Sequence, residues 1–312
     1  MKPVAIYYNP AFLLHDTGPH PESPARLVAI VDALNKAPFA SRLVWPEFPA
    51  AMQEDLQAIH SAKHVAYIQE SCLGGGGNLD PDTVVCPESW EAALLAAGAG
   101  CAAVDAVMAG QYPAAFCAVR PPGHHAEPQR AMGFCLFNNV AIAARHATRK
   151  SGAQRVAIID FDVHHGNGTQ SAFYEDPSVY FVSFHQAAIY PGTGWTEETG
   201  ANQGAHTTLN FPMGPLCGDE IYLESLRNVV FPKLSEFRPE LILLSAGFDA
   251  HQSDPIGGMA ITTEGFYRIT SAIKSFADQT CGGKVVSLLE GGYDIKTLGD
   301  AVTAHVKALL DL

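Results

Sequence analysis

The chain has 312 residues, of which 47% are apolar, and its formal net charge is −13. This composition indicates a globular protein with a sizeable core, and the negative charge argues against binding of nucleic acid through a basic face. No stretch approaches the roughly 20 apolar residues of a membrane helix and no signal peptide is recognised, so we expect a cytoplasmic protein without a membrane partner. The seven cysteines form no CxxC pair, which predicts reduced thiols and no disulfide framework.

One strand and four helices are predicted in the first third of the chain. A strand is expected at residues 4–8, and helices are expected at residues 24–36, 54–59, 63–70 and 90–108. Ser23 is placed to cap the first helix, and Pro24 suits its first turn. The glycine run at 74–77 lacks the spacing and the strand–helix context of a phosphate loop, so it predicts a flexible loop.

From residue 114 onwards, predicted strands and helices alternate. The strands are expected at residues 114–119, 156–161, 179–184, 207–211, 241–245 and 284–289. The helices are expected at residues 137–150, 218–237, 263–277 and 296–311. This alternation predicts an α/β fold with a mainly parallel sheet flanked by helices on both faces. Because no linker or internal repeat interrupts the pattern, we expect a single domain over residues 1–312.

Polar clusters follow four of the predicted strands, directly after Val119, Phe161, Ser245 and Leu289. In sheets of this kind, ligands bind outside the carboxyl ends of the strands. The four clusters are therefore expected to meet in one site.

The cluster at residues 160–170 suggests a metal site. Alternate residues of a strand point to one face, so Asp160, Asp162 and His164 are expected to emerge together. Gly166 and Gly168 are expected to let the backbone turn sharply. Asp249, which follows another strand, is a plausible third ligand beside Asp162 and His164. Two carboxylates and one imidazole leave positions open for water and substrate, which suits catalytic zinc, although iron(II) and cobalt(II) also suit these ligands. Taken alone, either aspartate would more often cap a helix or form a salt bridge.

His124 and His125 follow a Pro-Pro-Gly turn beside the expected metal. A histidine there can act as a general base or acid. Asp160 could hold His124 in its charged form, and Asn167 could orient His125 without adding charge. Tyr293, in Glu-Gly-Gly-Tyr-Asp, could donate a hydrogen bond to a developing oxyanion. The alternatives are a structural histidine pair and a core tyrosine, and we expect buried structural roles for His165 and His185.

These motifs resemble the histone deacetylase family, within the arginase–deacetylase superfamily, over nearly the whole chain. The motifs that carry the resemblance are His20-Pro-Glu-Ser-Pro-Ala-Arg26, Arg120-Pro-Pro-Gly-His-His-Ala, Gly133-Phe-Cys-Leu-Phe-Asn-Asn, Asp160-Phe-Asp-Val-His-His-Gly-Asn-Gly-Thr-Gln, Ala246-Gly-Phe-Asp and Leu289-Glu-Gly-Gly-Tyr. The Gly-Asn-Gly-Thr-Gln ending is similar to class II enzymes and their bacterial relatives, whereas class I enzymes usually carry aspartate where this chain has Asn167.

The resemblance implies the following roles for the site residues. One zinc would be bound by Asp162, His164 and Asp249. His125 would act first as the general base and then as the general acid, and His124, paired with Asp160, would be its electrostatic partner. Tyr293 would stabilise the oxyanion. The family also binds structural potassium near residues 160–164, which we expect here.

The resemblance also implies a substrate tunnel. Phe134 and Tyr190 match its aromatic walls, although the family more often has phenylalanine at the second position. Asp82 matches a rim carboxylate that holds the substrate backbone, and Arg26 matches an arginine of the internal cavity thought to release acetate. Further substrate-binding positions are expected at Gly133, Ile256 and Gly292.

The expected activity is hydrolysis of acetyl or other short acyl groups from the ε-amine of lysine. An acetylpolyamine amidohydrolase is the first alternative, but polyamine-selective relatives often place a glutamate where Ile256 stands. The expected partner is thus an acyl-lysine peptide or a small acylated amine, with a homo-oligomer possible. An arginase-type enzyme would need two bridged metals and more aspartates, and a non-catalytic acyl-lysine binding module would not need the complete catalytic set.

Overall fold

The computed structural model describes residues 3–312, so the first two residues of the expected domain lie outside it. Eight strands form one sheet in the order β2-β1-β5-β10-β9-β6-β7-β8, and every neighbouring pair is parallel. These strands are β1 (Val4–Tyr7), β2 (Leu43–Val44), β5 (Ala114–Cys117), β6 (Val156–Asp160), β7 (Val179–Gln186), β8 (Thr208–Met213), β9 (Leu241–Ala246) and β10 (Val285–Leu289). Strands β3 (Gly77–Asn78) and β4 (Val84–Val85) form a separate antiparallel pair. The predicted α/β fold with its parallel sheet is confirmed.

Two groups of helices cover the sheet. The helices are α1 (Pro24–Lys36), α2 (Gln53–Gln57), α3 (Ala62–Leu73), α4 (Ser89–Met108), α5 (Asn139–Arg149), α6 (Asn167–Phe173), α7 (Asp219–Ser225), α8 (Phe231–Phe237), α9 (Thr263–Cys281) and α10 (Ile295–Leu309). Helices α1, α9 and α10 pack together, as do α4 and α5, and members of both groups contact the central strands. The strands between them consist almost entirely of buried apolar residues, as expected for a sheet covered on both faces.

Helix α4 is the one helix of the described chain that is long and apolar enough to cross a membrane by length and composition. It has 20 residues with a mean hydropathy of 1.5, and 72% of its apolar window is buried within the fold. The expectation that no stretch approaches this composition was therefore wrong. Its many alanines let it pack closely against α5, β5 and β10, so it serves as a core helix.

Several local predictions differ from the structure. The helix expected at 218–237 is interrupted by a π-helical turn at Leu226–Val230, next to Pro232, which has no N–H to donate. The glycine run was expected to be a loop, but Gly77 pairs with Val85. Ser23 occupies the N-cap of α1 without a side-chain hydrogen bond, whereas Thr262 caps α9 by accepting one from the Gly265 N–H. All seven cysteines are free, as predicted.

Candidate active site

The carboxyl ends of four adjacent strands bring the predicted polar clusters together. Strand β6 ends at Asp160, and its register places that residue beside Ser245 of β9 and Ser183 of β7. The loops after β5, β9 and β10 carry the remaining clusters into the same region. This convergence follows from the parallel sheet, in which all carboxyl ends lie at one edge.

Asp162, His164 and Asp249 form a compact set of candidate metal ligands. Each offers one donor atom, and the three atoms all lie within 4.8 Å of one another. His164 Nδ1 lies 3.1 Å from Asp162 Oδ1 and 3.2 Å from Asp249 Oδ2. The structure therefore brings together the three residues that the sequence suggested, from two different strand ends.

The charges of this set favour a bound cation. Asp249 Oδ2 is buried and makes no hydrogen bond of good geometry within the described chain, although His164 is near. Burial and the neighbouring Asp162 carboxylate raise the pKa of Asp249 to about 7. Burial alone would lower the pKa of His164, but the two carboxylates outweigh it and raise that pKa to about 10. An orphaned carboxylate oxygen in a buried pair is the arrangement that a divalent cation would satisfy.

Glycines make room for this set. A Cβ atom at Gly247 would collide with the Asp162 carboxylate, and one at Gly291 would collide with Asp249. The two loops that carry these glycines can thus pass directly against the ligands. Gly291 also donates its N–H to Asp162 Oδ2 over 2.8 Å, which fixes the carboxylate.

The two adjacent histidines have different partners, as the sequence suggested. His124 Nδ1 lies 2.9 Å from Asp160 Oδ2, and His125 Nδ1 lies 2.8 Å from Asn167 Oδ1. Burial lowers the pKa of His124, but Asp162 and Asp160 outweigh burial and hold that pKa well above its ordinary value. Burial and the charge of His124 hold the pKa of His125 well below its ordinary value. The pair therefore consists of a charged and a neutral imidazole.

Gly166 and Gly168 have a different role from the one expected. Neither has a positive φ, so neither provides a left-handed turn. A Cβ atom at Gly166 would instead collide with Asp160 Oδ2, and one at Gly168 with the Ala126 carbonyl. The two glycines allow close approach of the chain to the histidine segment, and Asn167 starts helix α6, which the sequence analysis missed.

A narrow cavity of about 140 Å³ leads to the metal-ligand set, which it meets at His164. Its lining includes His125, Phe134, His164, Tyr190 and Tyr293, together with the predicted rim residue Asp82 and the predicted substrate-binding residues Gly133 and Ile256. The Tyr190 ring packs edge-on against His125 with ring centroids 5.0 Å apart, and Phe134 packs against Tyr293 at 5.9 Å. A larger depression of about 930 Å³, lined by Arg155 and Arg227 among others, carries none of these groups.

The aromatic wall is held in a strained backbone. Phe134 has φ 69°, in the left-handed region that non-glycine residues rarely occupy. Gly133 before it has φ 56°, and a Cβ atom there would collide with the His125 ring. Gly292, a predicted substrate-binding position, has φ 121° and packs closely against Phe248. It belongs to the loop that carries Tyr293 and does not line the cavity.

Asp254 supports the site through backbone hydrogen bonds, a role that was not predicted from the sequence. Its Oδ2 atom accepts the N–H of Tyr293 over 2.6 Å, and its Oδ1 atom accepts the N–H of Ile256 over 2.9 Å. One carboxylate thus ties together the loop of the candidate oxyanion donor and the loop of the tunnel rim. The motif Asp254-Pro-Ile-Gly-Gly was noted in the sequence, but only because Ile256 stands at a position that affects substrate specificity.

Glu290 was also missed. It is fully buried, and its Oε2 atom accepts the backbone N–H groups of Gly123 and His124 over 2.7 and 3.1 Å. Ser245 Oγ donates to its other oxygen over 3.1 Å. Glu290 therefore fixes the turn that presents both catalytic histidine candidates. Its position directly after β10 was the available signal.

Arg26 lies beneath the Tyr293 ring, with its guanidinium carbon 4.9 Å from the ring centroid. It donates to the carbonyls of Glu290 and Gly292, each over 2.6 Å, and to Glu22 Oε1 over 3.1 Å. Glu22 also accepts from Arg120 over 2.7 Å. Burial opposes ionisation of Glu22, but the two arginines outweigh it and lower its pKa to about 2. This buried ion network supports the floor of the site.

His165 and His185 are buried and fully hydrogen-bonded, as expected. His165 contacts Thr193 Oγ1 and Gln170 Oε1, and His185 contacts Ser183 Oγ and the Gly194 carbonyl. Neither lines the narrow cavity.

Comparisons with known proteins agree with this geometry. The family model described as the histone deacetylase domain matches residues 20–309. Histone deacetylase 14, chloroplastic, of Arabidopsis thaliana is 40% identical over 98% of this chain and 76% of that protein. The histone deacetylase-like amidohydrolase of Pseudomonas aeruginosa is 36% identical over 93% of this chain and 81% of that protein. The crystal structure of the HDA15 HD domain superimposes with a TM-score of 0.94 and 37% identity, covering 100% of this chain and 90% of that one.

The fold and site define a hydrolase of the deacetylase and amidohydrolase class. The chain belongs to the histone deacetylase family. Its sheet and helices form the arginase–deacetylase fold that the sequence resemblance implied.

Proposed function

We propose that this chain is a zinc-dependent amidohydrolase that removes acetyl or other short acyl groups from the ε-amine of lysine, over a single catalytic domain. One observation carries the proposal: a narrow aromatic-walled cavity ends at His164 of the Asp162, His164 and Asp249 set, and His125 and Tyr293 line the same cavity. This arrangement offers a place for an acyl carbonyl, a proton acceptor and an oxyanion donor together.

The donor set supports a divalent cation. Asp162, His164 and Asp249 would hold it, and the orphaned Asp249 Oδ2 would gain a partner. Zinc suits an open three-ligand site of this kind, and iron(II) or cobalt(II) also suit its oxygen-rich ligands. When bound, such an ion lowers the pKa of a coordinated water and polarises a carbonyl oxygen.

The surrounding residues would then handle the protons. His125, oriented by Asn167, accepts a proton from water as the water oxygen bonds to the carbonyl carbon of the amide. His125 then donates that proton to the leaving amine as the C–N bond breaks. His124, held charged by Asp160, stabilises negative charge that develops nearby, and Tyr293 donates a hydrogen bond to the carbonyl oxygen. Arg26, beneath Tyr293, would line the path by which acetate leaves.

The cavity walls favour a lysine side chain as substrate. Phe134 and Tyr190 suit the apolar methylene chain that precedes the amide. Ile256 lies at the rim and has no carboxylate that could bind a cationic substrate chain. Asp82 would accept hydrogen bonds from the substrate backbone.

An acetylpolyamine substrate is the second candidate, because the same rim also carries negative charge. Asp82 lies at the rim of the cavity, and its backbone N–H bonds to the Asp80 carboxylate over 3.1 Å. Burial and Asp80 raise the pKa of Asp82. Asp82, with the Asp80 carboxylate close to it in the chain, would attract a second ammonium group of a polyamine.

Turnover of an acetyl-lysine peptide and of acetylputrescine by the purified, zinc-loaded protein distinguishes the two candidates. We expect a higher kcat/KM on the peptide, inhibition by a hydroxamate, and loss of activity in His125→Ala and Tyr293→Phe. A strong preference for acetylputrescine would reverse the ranking. Robust activity in His125→Ala would refute the assignment of the base.

Three further proposals rest on the sequence expectations alone. We propose structural potassium beside residues 160–164, a cytoplasmic location, and a homo-oligomer as a possible assembly. Flame photometry, fractionation of cells and light scattering of the purified protein test them in turn.

A further inference from the structure

A second group of metal-ligating side chains lies between α2, α4 and α5. Asp55, Cys101 and His146 each offer one donor atom, and the three atoms lie within 4.8 Å of one another. Asp55 and Cys101 are each only 7% exposed. None of these residues belongs to the candidate active site, and they come from three separate helices.

The imidazole of His146 is held between two carboxylates. Its Nδ1 atom faces Asp55 Oδ1 at 3.4 Å, and its Nε2 atom faces Asp105 Oδ1 at 2.9 Å. Ser151 Oγ donates to the same Asp105 oxygen over 2.6 Å, which fixes its position. Histidines that bind metals usually donate their second ring N–H to a carboxylate, and this contact sets the tautomer and the ring orientation. Asp105 is placed to do this while Nδ1 stays available to a metal.

The thiol of Cys101 is the second observation that points to a ligand. It lies one helical turn before Asp105 on α4, is more than nine-tenths buried, and has the charged groups of Asp55, Asp105 and Lys150 as neighbours. Cys101, Asp55, Asp105 and His146 together line a cavity of about 610 Å³. A thiol aimed among carboxylates and an imidazole completes a mixed sulfur, nitrogen and oxygen donor set, which zinc accepts.

Lys150 supplies the positive charge of this cluster. Its ammonium group donates to Asp55 Oδ1 over 2.9 Å and also contacts Glu54. The Lys150 side chain is 37% exposed, so it can move into solvent without cost to the core. A salt-bridge network is therefore the competing explanation for the cluster.

We propose that Asp55, Cys101 and His146 form a second site for a zinc-class divalent cation, separate from the active site. Binding through Asp55 Oδ1, His146 Nδ1 and Cys101 Sγ releases the thiol proton to solvent and displaces the Lys150 ammonium. A water from the cavity would complete the coordination. Because the ligands come from α2, α4 and α5, the ion would tie the short helix α2 to the packed pair α4 and α5.

Cobalt(II) titration of the full chain, freed of metal and with its thiols reduced, tests this proposal. A cobalt–thiolate bond produces a charge-transfer absorption in the near ultraviolet, and the Asp162, His164 and Asp249 set contains no thiol. We expect two cobalt ions per chain with this absorption in the wild type. Cys101→Ser is expected to bind one ion without it, and the matched control Cys217→Ser to behave as the wild type.

Further variants separate a metal site from a salt-bridge network. Lys150→Ala is expected to tighten cobalt binding at the thiolate site by up to about fivefold, because it removes the competing ion pair with Asp55. Should Cys101→Ser fail to fold, loss of the absorption in His146→Gln supports the same assignment. Absence of a thiolate band in the wild type at saturating cobalt overturns the proposal, as does a band that persists in Cys101→Ser. Two ions without a thiolate band would point instead to a bridged pair at the active site.

Discussion

Asp254→Asn probes how the oxyanion donor is positioned. The Asp254 carboxylate accepts the Tyr293 N–H over 2.6 Å and the Ile256 N–H over 2.9 Å, and an amide has only one oxygen to offer. One of these two charge-assisted bonds is therefore lost. Such a bond contributes about 1.5–3 kcal/mol. If that energy holds Tyr293 in place, kcat/KM on an acetyl-lysine amide falls about 10- to 100-fold.

A double-mutant cycle shows whether the loss passes through Tyr293. We expect Tyr293→Phe combined with Asp254→Asn to be no slower than Tyr293→Phe alone, because both remove the same interaction. Asp219→Asn is the matched control, since Asp219 accepts the Thr262 N–H over 2.9 Å outside the lining of the cavity. It is expected to lower stability while kcat stays unchanged. Losses that multiply in the double variant would refute the positioning role of Asp254.

Three other predictions concern stability and metal. Gly166→Ala forces a Cβ atom against Asp160, so it is expected to lower the free energy of unfolding by about 1–3 kcal/mol and to remove most of the activity. The control Gly214→Ala has open space around its Cβ atom and is expected to leave urea unfolding unchanged. Burial lowers the pKa of His305 to about 3 in the folded protein. As the pH falls below 6.5, the His305 imidazole is therefore protonated in the unfolded chain but not in the folded one. The free energy of unfolding therefore falls on acidification. Between pH 7 and pH 5 this fall is expected to be about 2 kcal/mol smaller in His305→Gln than in the wild type. An equal fall in the two proteins contradicts the prediction. Asp249→Asn is expected to abolish tight zinc binding at the active site, as measured by equilibrium dialysis. If the variant binds zinc at that site as tightly as the wild type, Asp249 is not a ligand.

The sequence was sufficient for the strands of the sheet other than the two-residue edge strand β2, and for the residues that line the carboxyl edge. Each buried strand is a short apolar run, and the chemistry follows it directly, so Asp162, His164 and Asp249 could be grouped before the structure was known. Asp160 and Asn167, the partners of His124 and His125, followed from strand alternation and from the resemblance. The helix that starts at Asn167 was missed because its first turn belongs to the glycine-containing motif.

The sequence marked the places of the positioning residues but not their roles. Glu290 and Asp254 lie in polar motifs, yet they act by accepting backbone N–H groups, which every residue except proline carries. Glu22 is paired with Arg120, a residue 98 positions away. The glycines at 166 and 168 were expected to provide turns, but they provide space, and only the packing of neighbouring segments reveals the difference. Long-range packing thus determines roles that local composition leaves open.

The central claim is that one active-site cation and His125 together hydrolyse an acyl amide. The most direct test uses the Cys101→Ser variant, in which only the active site is expected to bind zinc. The variant is freed of metal and titrated with zinc, and its hydrolysis of a fluorogenic acetyl-lysine amide is measured at each step. We predict no turnover without metal, full activity at one zinc per chain, and almost none in the same protein carrying His125→Ala. Turnover by protein verified to be free of metal would contradict the claim.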